Sequence, residues 1–440
     1  MAEKEAKPGD IAIGREFSGI ETIIDDIENG DEPWRREARA RIDRFRKADL
    51  RVKIVNSSGA PVKGAEVAIA MKRHSFHFGG VVSERQWARR PDLYENAFLA
   101  MGFNAAGFNN TLKMKYGPSR GVEKVIRWLR ERDIFIRGHC ILWPDKYHLP
   151  KKLAAALKKH DGTEDSKRNI EKQCVEMVAG WARLWDVDEW DVVNEPRDSH
   201  GLQDILGEGI LAKCFRIAAE NARNPHARLC FNDNRIVSDP YPYYDKSEYG
   251  GVLAPTPIST PKIEAYIATL DALLKAGAPV GFLGFQSRFA RILKPETVLA
   301  RLNLFNKYGL PIEATEFEIK REVGDESRQA VFMEQLMTVY FSHPLVDGIF
   351  AWTLFPRQQT RNILNSDGTP NLKGKVWLYL TRKRWSTNAT LRTSSDGTVS
   401  IRAFKGVYDI TVKANGRAKT VSVDLEKDSF KTIAAPSDFD

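Results

Sequence analysis

Two short stretches place carboxylates where apolar strands should hand over to loops. WDVVNEP, at 190–196, ends its β-branched run on Asn194 and Glu195 and is stopped by Pro196. ATEFEI, at 314–319, carries Glu316 and Glu318 in a similar run. Side chains alternate along a strand, so Asp191, Val193 and Glu195 are expected on one face. By the same rule Ile312, Ala314, Glu316 and Glu318 share a face of the other strand. If both faces look inward, Glu195 and Glu316 meet at the mouth of a common cleft. Such a pair suits glycosidic bond cleavage. One carboxyl holds a proton near neutrality and gives it to the leaving oxygen. The other stays ionised and attacks the anomeric carbon. Retention of configuration requires the two to stand roughly 5–5.5 Å apart.

Other residues suited to sugars recur at the ends of similar runs. His139 and Trp143 close one, Gln286 and Arg288 another, and Trp352 a third, while Asn109, Asn110 and Lys113 follow a fourth. Indoles offer flat apolar faces, and amide, imidazole and ammonium groups bind hydroxyls. A lone Glu at a strand end is ordinarily a loop or cap residue, and a lone Trp is ordinarily core. The convergence of both types on strand ends is what argues for a site.

The elements that must position them alternate. Candidate strands are FHFGGVV (76–82), GFNAAGF (102–108), IFIRGHCIL (134–142), EWDVVNE (189–195), RLCFND (228–233), VGFLGFQS (280–287), PIEATEFEI (311–319) and DGIFAWTLF (347–355). Amphipathic helical segments lie between them. This is an α/β pattern, and eight units predict a (β/α)8 TIM barrel over 74–384, with chemistry at the carboxyl ends of the strands. A doubly wound sheet is the alternative, but no GxGxxG opens a helix after the first strand. The flanking segments 49–73 and 385–440 instead alternate apolar and polar residues around SSGAP, SSDG, FKG and ANG turns. Each is too small to close a sandwich alone. They are expected to pair into one small β-sandwich-like domain, with the barrel inserted between them. Residues 1–48 form a polar lead and a charged helix over roughly 33–48.

Composition narrows the function classes. The chain has 440 residues, is 42% hydrophobic and carries a formal net charge of +9. The cations are spread among 58 acidic residues rather than gathered in a stripe. That pattern reads first as a solvated basic surface and then as attraction to an anionic polymer, and argues against nucleic acid. No apolar run is long enough to span a membrane. MAEKEAKPGD lacks an apolar segment, so a signal peptide has been removed or the protein works in the cytoplasm. A secreted or periplasmic monomer is expected, with the cytoplasm left open. Cys140, Cys174, Cys214 and Cys230 form no CxxC pair and read as small core residues. HSFH at 74–77 and the separate His139 and His148 lack ligand spacing, so no metal or cofactor is expected.

The motifs resemble those of glycoside hydrolase family 10, the retaining endo-β-1,4-xylanases. WDVVNEP resembles its acid/base motif, ATEFEI its nucleophile motif and GHCILW (138–143) its third-strand signature. FNAAGFNNTLKM (103–114), FND (231–233) and GFQS (284–287) also fit, in the right order over roughly 300 residues of a barrel. The resemblance implies Glu195 as acid/base, Glu316 as nucleophile, and Asn194 on the sugar 2-hydroxyl. Asn110, Lys113, His139, Trp143, Gln286 and Trp352 would line subsites before the scissile bond. Three positions depart from the pattern: Asn109 replaces a Glu, Met114 a Trp, and Arg288 a His. Arg288 would pair with Glu316 or clamp an anionic group on the substrate. FPRQQTRN adds Arg357 and Arg361 after the eighth strand. An endo-acting hydrolase of β-1,4-xylan, or of a related acidic or sulfated polysaccharide, is therefore expected. The alternatives are a retaining hydrolase of another glycoside and a non-catalytic carbohydrate-binding barrel.

Overall fold

Buried β-branched runs and the helices between them form a closed barrel in the computed structural model, which describes residues 15–241, 256–356, 361–414 and 417–436. In chain order, β1 (Lys47–Val55) and β2 (Glu66–His74) precede the barrel. The barrel follows with β3 (His77–Val82), β4 (Ala105–Phe108), β5 (Phe135–Gly138), β6 (Glu189–Asn194), β7 (Arg228–Asn234) and β8 (Phe282–Gln286). A two-residue β9 (Arg288–Phe289) comes next, then β10 (Ile312–Ile319) and β11 (Val346–Ala351). After the barrel come β12 (Asn388–Arg392), β13 (Thr398–Phe404), β14 (Gly406–Ala414), β15 (Arg417–Leu425) and β16 (Ser429–Ala434).

Strands β3 to β8, β10 and β11 pair in parallel in that order, and β11 returns to β3 to close the ring. This is the (β/α)8 architecture. Strands β1, β13 and β16 make a three-stranded sheet, and β12, β2, β14 and β15 a four-stranded one. The two sheets enclose their own apolar cluster, including Leu50, Val52, Ile69, Ile410 and Leu425. Each sheet therefore draws strands from both flanks of the barrel. Within the first sheet, β1 runs antiparallel to β13 but parallel to β16.

The helix Pro33–Arg46 carries a heavily charged sequence, yet it packs on the barrel. Arg35 explains part of this. Its guanidinium grips Glu334 through two hydrogen bonds of 2.8 and 2.9 Å, with side chains 4% and 1% exposed. At its C-terminal end Arg46 donates to the carbonyls of Phe341 and His343, where the helix Glu326–Ser342 ends, and to that of Val346 at the start of β11. Truncating one partner of a buried pair leaves the other charge uncompensated. Arg35→Ala is thus expected to cost about 3–5 kcal/mol of stability in urea or thermal unfolding. A loss under about 1 kcal/mol would show that the contact holds nothing in place.

The interior of the barrel is polar at its lower end. Arg137 lies within reach of Glu189, Asp191 and Glu313, and against the rings of Phe282 and Phe350. Arg228 joins Glu189, Glu313 and Asp347 at 2.8, 3.0 and 2.6 Å. Burial, together with the charge of Glu313, drives the Glu189 pKa well above the ordinary carboxylate range. Glu313 is held down at about 2 against its own burial, by His77 and Arg228.

This cluster corrects the simple alternation. Glu313 points inward, although Glu316 does too and the two have opposite parity. The pairing of β10 with β11 shifts between Ala314 and Phe317, and that irregularity resets the faces. Likewise β6 shifts against β7 between Asp191 and Val193. Val193 joins the apolar core and Asn194 takes the inward position.

Candidate active site

Every candidate residue that can be placed lies at or just beyond the carboxyl ends of the barrel strands. Glu195 is the first residue past β6, and it adopts φ of +50°. A non-glycine residue seldom takes that conformation, and here it turns two consecutive side chains, Asn194 and Glu195, toward the mouth. Its amide donates to the Asn232 carbonyl at 2.9 Å, which ties the turn to β7. Gln286, at the end of β8, donates to Glu195 Oε1 at 2.6 Å.

Asn194 is fully buried. Its Oδ1 accepts from Asn232 Nδ2 at 2.8 Å and from Gln286 Nε2 at 3.3 Å. Thr315 in turn donates to Asn232 Oδ1 at 2.8 Å. This chain fixes the amide and leaves Nδ2 a buried donor with no partner among the described residues. Buried donors are seldom left unmet, so this one marks a place for a ligand oxygen.

Glu316 is 2% exposed and forms an ion pair with Arg288. Arg288 is held there by β9, which pairs Arg288 with Glu318 and Phe289 with Ile319. Its guanidinium also stands 4.8 Å over the Trp352 ring, with its Nε 4.0 Å from Glu318. Glu318 accepts from Arg361 at 3.0 Å and from Thr353 at 3.0 Å. Arg288 and Arg361 are therefore both engaged by carboxylates of β10. Arg357 lies outside the described residues.

His139 lies just beyond β5, not within it. The chain leaves the sheet at Gly138, where a Cβ would fall 2.4 Å from the Trp190 ring. It rejoins β6 through the amides of Ile141 and Leu142, which donate to Asp191 and Val192. The imidazole Nδ1 faces Asp191 Oδ2 at 2.6 Å and Nε2 faces Glu316 Oε1 at 3.7 Å. Burial, above all, lowers the His139 pKa and favours the neutral ring. Burial opposes ionisation of Asp191, but Arg137 and His139 overcome it and hold its carboxyl below the ordinary range.

Trp143 stacks on His148 at 3.7 Å and donates from Nε1 to Ser199 at 3.0 Å. The buried Lys113 ammonium lies 4.9 Å from the Trp143 ring centre. Asn110 is exposed on the loop after β4, and Met114 is buried in the core. The site thus brings together Glu195, Glu316, Asn194, Gln286, His139, Arg288 and Trp352, with Trp143 and Lys113 as a second patch. Asn232 and Thr315, which orient Asn194, lie within FND and ATEFEI. Their signal was a polar residue inside a buried run.

The electrostatics separate the two carboxyls. Burial pushes the Glu195 pKa up to about 7; the nearby charge of Glu316 adds to this and Gln286 opposes it. Asp233, itself buried and raised to about 6, contributes in the same direction. A half-buried acid poised near neutrality beside a carboxylate paired with Arg288 can donate a proton while its neighbour attacks.

Comparison with known proteins bears on the barrel that carries this site. The sequence model of glycosyl hydrolase family 10 matches residues 67–248 and 256–362. Anti-sigma-I factor RsgI6 of Acetivibrio thermocellus is 27% identical over 88% of this chain and 47% of its own length. Endo-1,4-beta-xylanase 1 of Arabidopsis thaliana is 26% identical over 88% of this chain and 39% of its own. The chain thus spans less than half the length of these curated relatives. Xylanase 10B from Thermotoga petrophila RKU-1, solved with xylobiose, shares the fold with a TM-score of 0.56. That match has 19% identity and covers 70% of this chain and 95% of the other. A GH10 endoxylanase from a sugarcane soil metagenome aligns with a TM-score of 0.55 at 20% identity, over 70% of this chain and 96% of its own.

Proposed function

Because the chain belongs to glycosyl hydrolase family 10, we propose that it is a retaining, endo-acting hydrolase of β-1,4-xylan or a related acidic or sulfated polysaccharide. The observation that carries this reading is the unequal carboxyl pair. Glu195 is raised to about 7, while Glu316 is buried against Arg288. In the first step a Glu316 oxygen attacks the anomeric carbon as the bond to the leaving oxygen breaks. Glu195 transfers its proton to that oxygen, and a glycosyl ester forms on Glu316. In the second step Glu195, now a carboxylate, takes a proton from water, whose oxygen attacks the same carbon and releases Glu316. Two inversions give net retention.

The geometry also supports a change in Glu195 between the steps. Esterification removes the Glu316 charge, one of the two main influences raising Glu195. The acid of the first step thereby becomes a better base for the second. Asn194 would give its open Nδ2–H to the 2-hydroxyl, a contact that tightens in the transition state. Trp352 and Trp143 would carry sugar faces, while Gln286, His139, Lys113 and Asn110 bind hydroxyls. Arg288 is a positioning residue here, since its guanidinium is paired with the nucleophile.

Product analysis on neutral xylan, glucuronoxylan and sulfated algal polysaccharide tests the reading. Mixed internal fragments whose new reducing ends first appear as the β-anomer are expected from at least one xylan. Release of the α-anomer would overturn retention, and release of single terminal units alone would overturn endo action.

A further inference from the structure

A second cleft opens on the same face of the barrel. It has a volume of about 620 Å³ and lies between the loops that follow β3 and β4. Arg85, Gln86 and Arg89 line one wall, and Asn110, Thr111 and Tyr116 line the other. Arg85 and Arg89 stand four apart on the short helix Glu84–Arg89, are exposed, and form no ion pair among the described residues. The one carboxylate lining the cleft, Glu84, forms no ion pair with either among the described residues. It accepts from Ser119 Oγ at 3.4 Å and lies over Gly121, where a Cβ would fall 1.9 Å from its Oε1. The cleft therefore presents two cations with no protein counter-ion.

The opposite wall has the chemistry of a sugar site. Tyr116 is 59% exposed, although aromatic rings of this size are usually covered. Asn110 offers an exposed amide, and Thr111 Oγ1 is buried with no partner among the described residues. The same loop runs on to Lys113, which lies against Trp143 and whose charge reaches His139, itself 3.7 Å from Glu316. One loop thus belongs to both the cleft and the active site.

We propose that this cleft is a subsite for an anionic substituent, a carboxylate or a sulfate ester, on the polysaccharide chain cleaved between Glu195 and Glu316. The assignment rests on the function proposed above and names its substrate class more closely. Arg288 and Arg361 do not fill this role, because Glu316 and Glu318 engage them. Arg85 and Arg89 bind the charge, with Tyr116 under the sugar ring that bears it.

The test is calorimetric binding to the full chain carrying Glu316→Ala, so that ligands survive. Three xylo-oligosaccharides of equal length are compared: neutral, glucuronate-bearing and sulfated. The parent is expected to bind at least one anionic chain about tenfold tighter than the neutral one, with the preference shrinking as salt rises. Adding Arg85→Gln and Arg89→Gln should bring that ratio close to one, while Tyr116→Ala weakens all three chains. Thermal unfolding of each variant checks that it is folded. The uronate and sulfate arms identify which anion the cleft takes. An unchanged preference in the double-glutamine variant, or none in the parent, overturns the subsite but leaves the hydrolase reading standing. Absence of binding to all three chains, with no cleavage of xylan by the unmodified protein, overturns both.

Discussion

Glu316→Ala is expected to lower turnover by about 10⁵-fold or more on any substrate the protein cleaves, while ligand binding survives. The size follows from the geometry. Glu316 is buried, its Oε2 is paired with Arg288, and its Oε1 lies 3.7 Å from His139 Nε2. Glu318, the next carboxylate of β10, does not take its place, since it is engaged by Arg361 and Thr353. The variant leaves a space beside the anomeric carbon, so added azide should restore reaction and give a glycosyl azide of inverted configuration. Restoration separates a lost nucleophile from a misfolded site. Turnover within tenfold of the unmodified protein would reject the assignment.

Glu195→Ala is expected to behave differently. General acid catalysis is worth about 10²–10⁴-fold, so cleavage of xylan should fall by that factor. An aryl glycoside with a good leaving group needs little protonation, and its first step should be nearly as fast as before. The pH profile carries the sign. The Glu195 pKa is raised to about 7, and the protonated form is the active one. Thus kcat/KM should be present below pH 7 and lost as pH rises through about 7. The alanine variant should lose that basic limb. Asp233→Asn, which removes a charge that raises Glu195, should move the limb to lower pH. A limb that persists unchanged in Glu195→Ala belongs to another group.

Much of this arrangement was readable from the chain, and the misses have physical causes. All eight barrel strands were visible because parallel strands covered on both faces must be nearly continuous apolar runs. The carboxylates stood out because they end such runs. Face assignments failed at Asp191–Val193 and Ala314–Phe317, since a register shift leaves no mark in a period-two pattern. Strand β9 was missed because two residues carry no periodicity, yet it is the element that delivers Arg288 to Glu316. The sequence posed Arg288 as either a partner of Glu316 or a clamp on substrate, and only the fold decides that Glu316 takes it. The alternation of the flanking strands was legible, but the parallel pairing of β1 with β16 joins segments far apart in the chain. The buried cluster around Arg137 and Arg228 appeared only as stray charges in apolar runs, because their partners lie on other strands.

The central claim is that Glu316 becomes covalently glycosylated while Glu195 serves as acid and base. A 2-deoxy-2-fluoro-xylobioside with an activated leaving group tests it most directly, because the fluorine slows the second step more than the activated first step. Mass spectrometry of the intact protein, followed by peptide mapping, reads the outcome. The account predicts one added fluoroxylobiosyl unit per chain, carried on the peptide containing ATEFEI and located on Glu316. A stable adduct on Glu195, Glu318 or any other residue would contradict it. So would turnover of the reagent to the inverted sugar with no adduct formed.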